Sequence, residues 1–287
     1  MASSFMIRQG RVFRTGNLAV LLALVFAPLI LYPLGGLIWL SFHDKKGLSL
    51  LSYSQFFSNP ESWNVIGTTA KILIASASIA TVVGVVLAAL LFYLPFRGSR
   101  TLVRFMELFV AFPSFLIAFT LIFLYGAQGS VNILLERSFA LDHPPIDFLF
   151  GFGGVLLAQV IYYTPFVVRP TLTALTLIDE RVVEAARSLG AGPLMVARRV
   201  VLPMALPGIV AGSILCFLLT MNEFGILLVL GSAKLITLPI SIYSAATIDL
   251  DLQAASAQAV VMLAASLSVF MLYRRVTRSA TRSHARA

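Results

Sequence analysis

The chain has 287 residues, of which 59% are hydrophobic and only 11% charged, with a net charge of +9. A soluble domain carries about 25% charged residues, so this composition, with a mean hydropathy of +0.94, excludes an ordinary soluble fold and points to a polytopic membrane protein. The basic balance does not point to nucleic acid, because the Arg residues stand in short segments flanking apolar runs, where membrane topology accounts for them.

Residues 1–17 are polar and carry Arg8, Arg11 and Arg14. An apolar run from Leu18 to Phe42 follows. It is longer than a signal-peptide core, and no small-residue cleavage site follows it, so it reads as a retained first span. Pro28, Pro33 and Gly35-Gly36 bend it or let neighbours pack closely. His43 to Asn64 is a polar loop with Lys45, Lys46 and Glu61. Val65 to Leu94 is the second span, and its Ala, Ser and Gly content suits close helix contact in lipid. A short turn from Pro95 to Arg100 leads to a third span from about Leu102 to Tyr125, kinked at Pro113. Gly126 to Leu149 is the second long polar loop, and the fourth span runs from about Phe150 to Val168.

Arg169-Pro170 opens the segment that leads to a polar loop, about residues 177–205. Asp179 stands where a helix can start, with Glu180 in its first turn. Val182, Ala185, Ala186 and Leu189 fall at helical spacing and predict one apolar face, with Arg181, Glu184, Arg187 and Ser188 opposite. Gly190 follows, where a helix end favours positive φ. Gly192-Pro193 restarts a helix with an apolar stripe of Leu194, Ala197 and Val201, and with Arg198 and Arg199 in its last turn. Pro203 is expected to stop it. A fifth span follows from Leu206 to Leu230, and then a third polar loop from Gly231 to Ala255 with a short helix within Leu235–Ile248. The sixth span is Ser256 to Tyr273, and a basic tail occupies residues 274–287.

Six spans put both termini on one side. Sixteen of the 21 Lys and Arg fall on that side and four on the other, with Lys71 inside the second span. The Lys and Arg bias of short loops sets orientation, so both termini and the 177–205 loop are expected in the cytoplasm. The predicted fold is an all-α integral membrane protein of six transmembrane helices spanning residues 18–273, with a cytoplasmic helix–turn–helix loop.

No catalytic constellation stands out. His43, His143 and His284 are scattered, Cys216 is the single cysteine, and no phosphate-binding G-x-x-x-x-G-K-[ST] sequence occurs. This chain is therefore not expected to hydrolyse ATP by that route, and neither cofactor nor metal is expected. Charge inside a span is costly and marks function. Glu223, beside Asn222 in the fifth span, reads either as lining a path or gate, or as a structural carboxylate hydrogen-bonded between helices. Lys71 reads as a snorkelling side chain, or else as a substrate contact or partner of Glu223. Glu107 and Arg169 are interfacial and brace the loop. Tyr162, Tyr163 and Pro165 line a cavity or pack the bundle.

The loop resembles the signature of permease subunits of binding-protein-dependent ABC importers. The match is Glu184-Ala185-Ala186, then Gly190, then Val200 and Leu202-Pro203, with Val where Ile is common. The resemblance implies that this loop, including Arg187, is the coupling helix that docks into a cytoplasmic ATPase subunit. It implies two permease subunits, two ATPase subunits and a periplasmic or extracellular solute-binding protein, in the inner membrane among lipid. From Asn222 onward, Met221-Asn222-Glu223-Phe224-Gly225, Leu238-Pro239-Ile240 and Asp249-Leu250-Asp251 resemble 2-aminoethylphosphonate importer permeases. Importers of ferric ion, polyamines, thiamine and oxyanions remain alternatives. An autonomous secondary transporter or channel is the rival class; it predicts inverted repeats and midplane charge pairs, of which the sequence shows no clear sign.

Overall fold

The computed structural model describes residues 3–44, 47–94, 96–232 and 235–284. Lys45, Lys46, Lys234 and Arg286, used above for orientation, lie outside the described residues. Helix α1 runs over Ser3–Phe42, followed by the short strands β1 (His43–Asp44) and β2 (Gly47–Leu48), which pair antiparallel with His43 opposite Leu48. Then come α2 (Leu51–Ser58), α3 (Pro60–Tyr93), α4 (Ser99–Val110), α5 (Ser114–Tyr125), α6 (Ser130–Phe139) and α7 (Phe152–Thr176). The loop supplies α8 (Glu180–Ser188) and α9 (Pro193–Val196), and a π turn over Ala197–Val201 leads into α10 (Leu202–Met221). The chain closes with α11 (Gly225–Leu230), α12 (Leu238–Thr247) and α13 (Leu252–His284).

Among the described residues, six helical segments are long and apolar enough to cross a membrane: Leu24–Phe42, Pro60–Tyr93, Ser114–Phe139, Phe152–Thr176, Pro193–Met221 and Leu252–Met271. The protein is a multi-pass, predominantly helical membrane protein, as the apolar runs predict, with the β1–β2 pair as its one small departure among the described residues. Several boundaries differ from the sequence reading. The third span is not one kinked helix. The Leu102–Tyr125 run is interrupted at Ala111–Pro113, so the crossing segment starts only at Ser114 with α5 and continues into α6, and α4 lies before it. The fourth helix runs on through Pro165, Arg169 and Pro170 to Thr176. Pro203 does not stop a helix. Its ring would clash with the carbonyl four residues back, and the wide turn relieves this by letting the Leu202 N–H bond to the Ala197 carbonyl instead. Helix α9, the π turn and α10 therefore form one helical segment.

The chain divides into two compact units. One comprises the chain up to Ser58 together with Ile242–Val261. In it the Tyr53 hydroxyl donates to Ser41 Oγ at 2.8 Å, Ser41 donates to the Ile38 carbonyl at 2.7 Å, and the His43 ring stacks on Trp39.

The other unit comprises Asn59–Ser241 and Met262 onward. Helices α3, α7 and α10 form its centre. Helix α7 is the most buried, with half of its span enclosed. Small residues let these backbones approach, as expected where lipid supplies no hydrophobic drive between helices. A Cβ on Gly84 of α3 would lie 2.6 Å from Val167 Cβ, and one on Gly212 of α10 would lie 3.0 Å from Val167 Cα. Val167, fully buried, is thus held between two glycines. Asn132 on α6, also fully buried, donates to the Gly126 and Ile146 carbonyls at 2.9 Å and accepts from the Ile146 N–H at 3.0 Å. It pins the 126–149 loop, and the sequence reading passed it over.

Candidate functional site

Most of the residues singled out in the sequence fall in two places: the polar loop, and a pair of interrupted apolar runs. In the loop, Asp179 caps α8 by accepting from the Arg181 N–H at 2.9 Å, and Glu180 sits in the first turn. At the other end Gly190 adopts φ +84°. Its N–H bonds to the Arg187 carbonyl at 2.9 Å, and the Ala191 N–H bonds to the Ala186 carbonyl at 3.1 Å. This paired closure requires a left-handed residue, and both Ala186 and Ala191 pack on the cluster around Leu175, Val196, Val201 and Ala205. Gly192 and Pro193 then start α9, as their chemistry dictates.

The inward face of α8 matches the stripe read from periodicity only at Ala186. Val183 and Ala186 pack inward, whereas Leu189 is 89% exposed and Val182 and Ala185 are also exposed. The same holds for Leu194, at 81% exposure, while Val196 and Val201 are buried. The bundle offers the loop only a narrow contact, and the closure at Gly190 fixes which residues reach it. The outward surface therefore carries both the Glu184 carboxylate and apolar side chains. Glu184 and Arg187 are exposed, and no hydrogen bond or ion pair joins Glu184 to Arg187 or Ser188 among the described residues. Leu202 and Pro203 are exposed at the start of α10. Glu107 of α4 and Arg169 of α7 pair with each other at 3.5 Å, both partly solvated.

The second place is where the third and fifth spans break. Helix α10 ends at Met221, and α11 starts at Gly225. An irregular backbone within a span needs its polar groups satisfied by protein. Glu223, only 5% exposed, does this. Its Oε1 accepts from the Ile226 N–H at 2.8 Å and from Ser114 Oγ at 2.9 Å, and the Tyr163 hydroxyl of α7 donates to Oε2. Ser114 is the first residue of α5, so one carboxylate ties together the restarts of two broken spans. Gly225 allows this, since a Cβ there would meet Ser114 Oγ at 3.0 Å. Tyr162 adds a hydrogen bond to the Phe112 carbonyl in the other break, at 3.0 Å.

The sequence reading named Glu223 but not these partners. Asn222, expected beside it, is exposed and donates to the Leu218 carbonyl at 2.8 Å. Lys71 is exposed on α3 and makes no ion pair with Glu223. Ser114 was legible only as a Ser after Pro113, a helix-start signal. Gln159, one turn before Tyr163, is fully buried with neither amide atom hydrogen-bonded. Within a buried helix nothing in the sequence separates such an amide from a packed one. No group of three or more His, Cys, Asp and Glu able to hold a metal occurs among the described residues.

A family model described as "Binding-protein-dependent transport system inner membrane component" matches residues 80–282. The chain is 37% identical over 252 residues to the "Putative 2-aminoethylphosphonate transport system permease protein PhnU" of Salmonella typhimurium, covering 88% of each. It is 25% identical over 281 residues to the spermidine/putrescine transport system permease protein PotC of Escherichia coli K12, covering 96% of this chain and 97% of that one. Among solved structures, a chain of a bacterial ABC transporter that imports the acidic polysaccharide alginate superposes with a TM-score of 0.80 at 16% identity, covering 96% of this chain and 98% of that one. A chain of the MetNI methionine ABC transporter in an inward-facing conformation gives 0.60 at 18%, covering 77% and 98%.

Proposed function

Because the chain belongs to the family of binding-protein-dependent transport system inner membrane components, the permease subunits of ABC importers, we propose that it forms the path for 2-aminoethylphosphonate. The observation that supports this substrate is the 37% identity to PhnU over 88% of both chains. The chain pairs with a second permease subunit, identical or related. A solute-binding protein delivers substrate to the outer face, and two cytoplasmic ATPase subunits supply the energy. The protein sits in the inner membrane with both termini in the cytoplasm. Residues 18–273 form the transmembrane domain, with 1–17 as a cytoplasmic segment and 274–287 as a basic cytoplasmic tail.

In this reading the outward surface of α8 meets the ATPase. Glu184 and Arg187 provide charge, Ala185 and the neighbouring apolar side chains provide area, and Gly190, Leu202 and Pro203 set the geometry. Ala186 anchors the helix from behind. Glu223 holds the broken spans in register, which is where transporters of other folds place their substrate sites. Asn222 lines the path beside it, the Gln159 amide is an unused donor and acceptor one turn away, and Lys71 acts at the mouth.

Polyamine import is the second reading, on the 25% identity to PotC. It would want a free carboxylate for a cation. Glu223 is the buried acidic side chain of the breaks, and it already accepts three hydrogen bonds. The test is uptake into proteoliposomes holding the chain, its ATPase and its binding protein. 2-Aminoethylphosphonate is expected to accumulate only with ATP and the binding protein. Accumulation of spermidine instead would establish the second reading, and uptake without ATP would remove the importer mechanism altogether.

A further inference from the structure

A groove of about 370 Å³ runs between α3, α7 and the α9–α10 segment. Its walls are apolar, with Val85 and Ala89 on α3, Leu175 on α7, and Val201 and Ile209 on the opposite side. Its polarity is graded along its length. At one end stand Tyr93, the last residue of α3, and Arg198 in the π turn. Arg187 of α8 lies within electrostatic reach of the Tyr93 hydroxyl. Thr171 of α7 borders the groove, but its side chain is buried away from it at 1% exposure.

We propose that this groove holds one anionic phospholipid. Its phosphate meets Arg198 and the Tyr93 hydroxyl, with Arg187 adding positive field. An acyl chain lies along Val85, Ala89 and Ile209. The order of these groups matches a lipid entering from a membrane surface. Tyr93 and Val85 are eight residues apart on one helix, roughly 12 Å at 1.5 Å per residue, about the distance from a headgroup into the acyl region. The inference rests on the reading above only in placing this end of the bundle at the cytoplasmic leaflet, where anionic lipid attracts basic side chains.

The chain purified alone in detergent, without ATPase, is titrated with phosphatidylglycerol and, separately, phosphatidylcholine, and bound lipid is counted by native mass spectrometry. One phosphatidylglycerol is expected to bind in preference to phosphatidylcholine. Arg198→Gln should weaken it by about fivefold, the effect of one basic residue at an anionic surface. Ala89→Trp, which fills the groove, should abolish it, with gel filtration reporting whether that variant is intact. If Ala89→Trp does not fold, the exposed Arg198→Gln alone decides. Equal binding by wild type and Arg198→Gln, or no preference between headgroups, overturns the proposal. So does a photo-crosslinker at Leu194 that captures a helix of a second copy in place of lipid. None of these readouts depends on transport, so failure of the importer reading would leave them unchanged.

Discussion

Replacing Glu223 separates its two possible duties, and the structure fixes the sizes. Removing the side chain in Glu223→Ala takes the acceptor from the Tyr163 hydroxyl, from Ser114 Oγ and from the Ile226 N–H. Tyr163 can turn to the Leu219 carbonyl, 3.3 Å away. The other two donors are stranded in a buried site, at about 1–3 kcal/mol each, so the expected loss is about 4 kcal/mol. In Glu223→Gln the amide oxygen keeps both contacts now made to Oε1. Its NH2 group faces a hydroxyl that rotates to accept, so only the charge assistance is lost, about 1 kcal/mol. Equilibrium unfolding of the detergent-purified chain in mixed micelles would measure both. The alanine variant should be less stable than the glutamine variant by about 3 kcal/mol, the difference of the two costs. Near-equal stabilities, within about 1 kcal/mol, would show that the carboxylate does not hold the breaks and would refute the reasoning. Transport by Glu223→Gln then isolates the charge. Its change, with ATPase association intact, places the carboxylate in the path as well.

Glu184→Lys reverses the charge on the outward face of α8 without touching its buried face. The protein should insert normally, yet lose the ATPase in a pull-down. A Cβ on Gly190 meets no atom within 4 Å, so the effect of Gly190→Ala is backbone strain of roughly 1–2 kcal/mol at φ +84°; Gly190→Asn should retain coupling where Ala loses it, measured as substrate-stimulated ATPase rate. Asn132→Ala strands the Ile146 N–H and the Ile146 carbonyl, while the Gly126 carbonyl keeps the Gly129 N–H at 2.8 Å. It should cost about 2–4 kcal/mol and expose the 126–149 loop to protease.

How far the chain was legible follows from what each signal measures. The apolar runs marked all six crossing segments, because a span must satisfy its backbone internally and exclude charge. The loop was legible at Asp179, Gly190 and Gly192-Pro193, because capping and left-handed closure are local chemistry. Periodicity failed on α8 because it locates an apolar stripe but not which side the bundle accepts; the stripe members Val182 and Leu189 face outward. Pro203 misled because a proline's clash was counted without the π turn that removes it. The interruption at Ala111–Pro113 and its tie to Glu223 lay beyond reach, since the bond joins residues 109 apart in sequence.

The wide turn before Pro203 has a mechanical consequence. With it, Pro193–Met221 is a continuous helical segment of 29 residues that also carries Pro207 within α10, roughly 44 Å long at 1.5 Å per residue. One end is planted in the polar loop and the other stops at the residue before Asn222. Had Pro203 ended the helix, a flexible joint would lie between them, and motion at the loop would dissipate there. As a single lever, a tilt of about 5° displaces its far tip by about 4 Å over that length. That is more than the length of any hydrogen bond made to Glu223, so a small tilt at one end is enough to unclasp or re-form the breaks at the other.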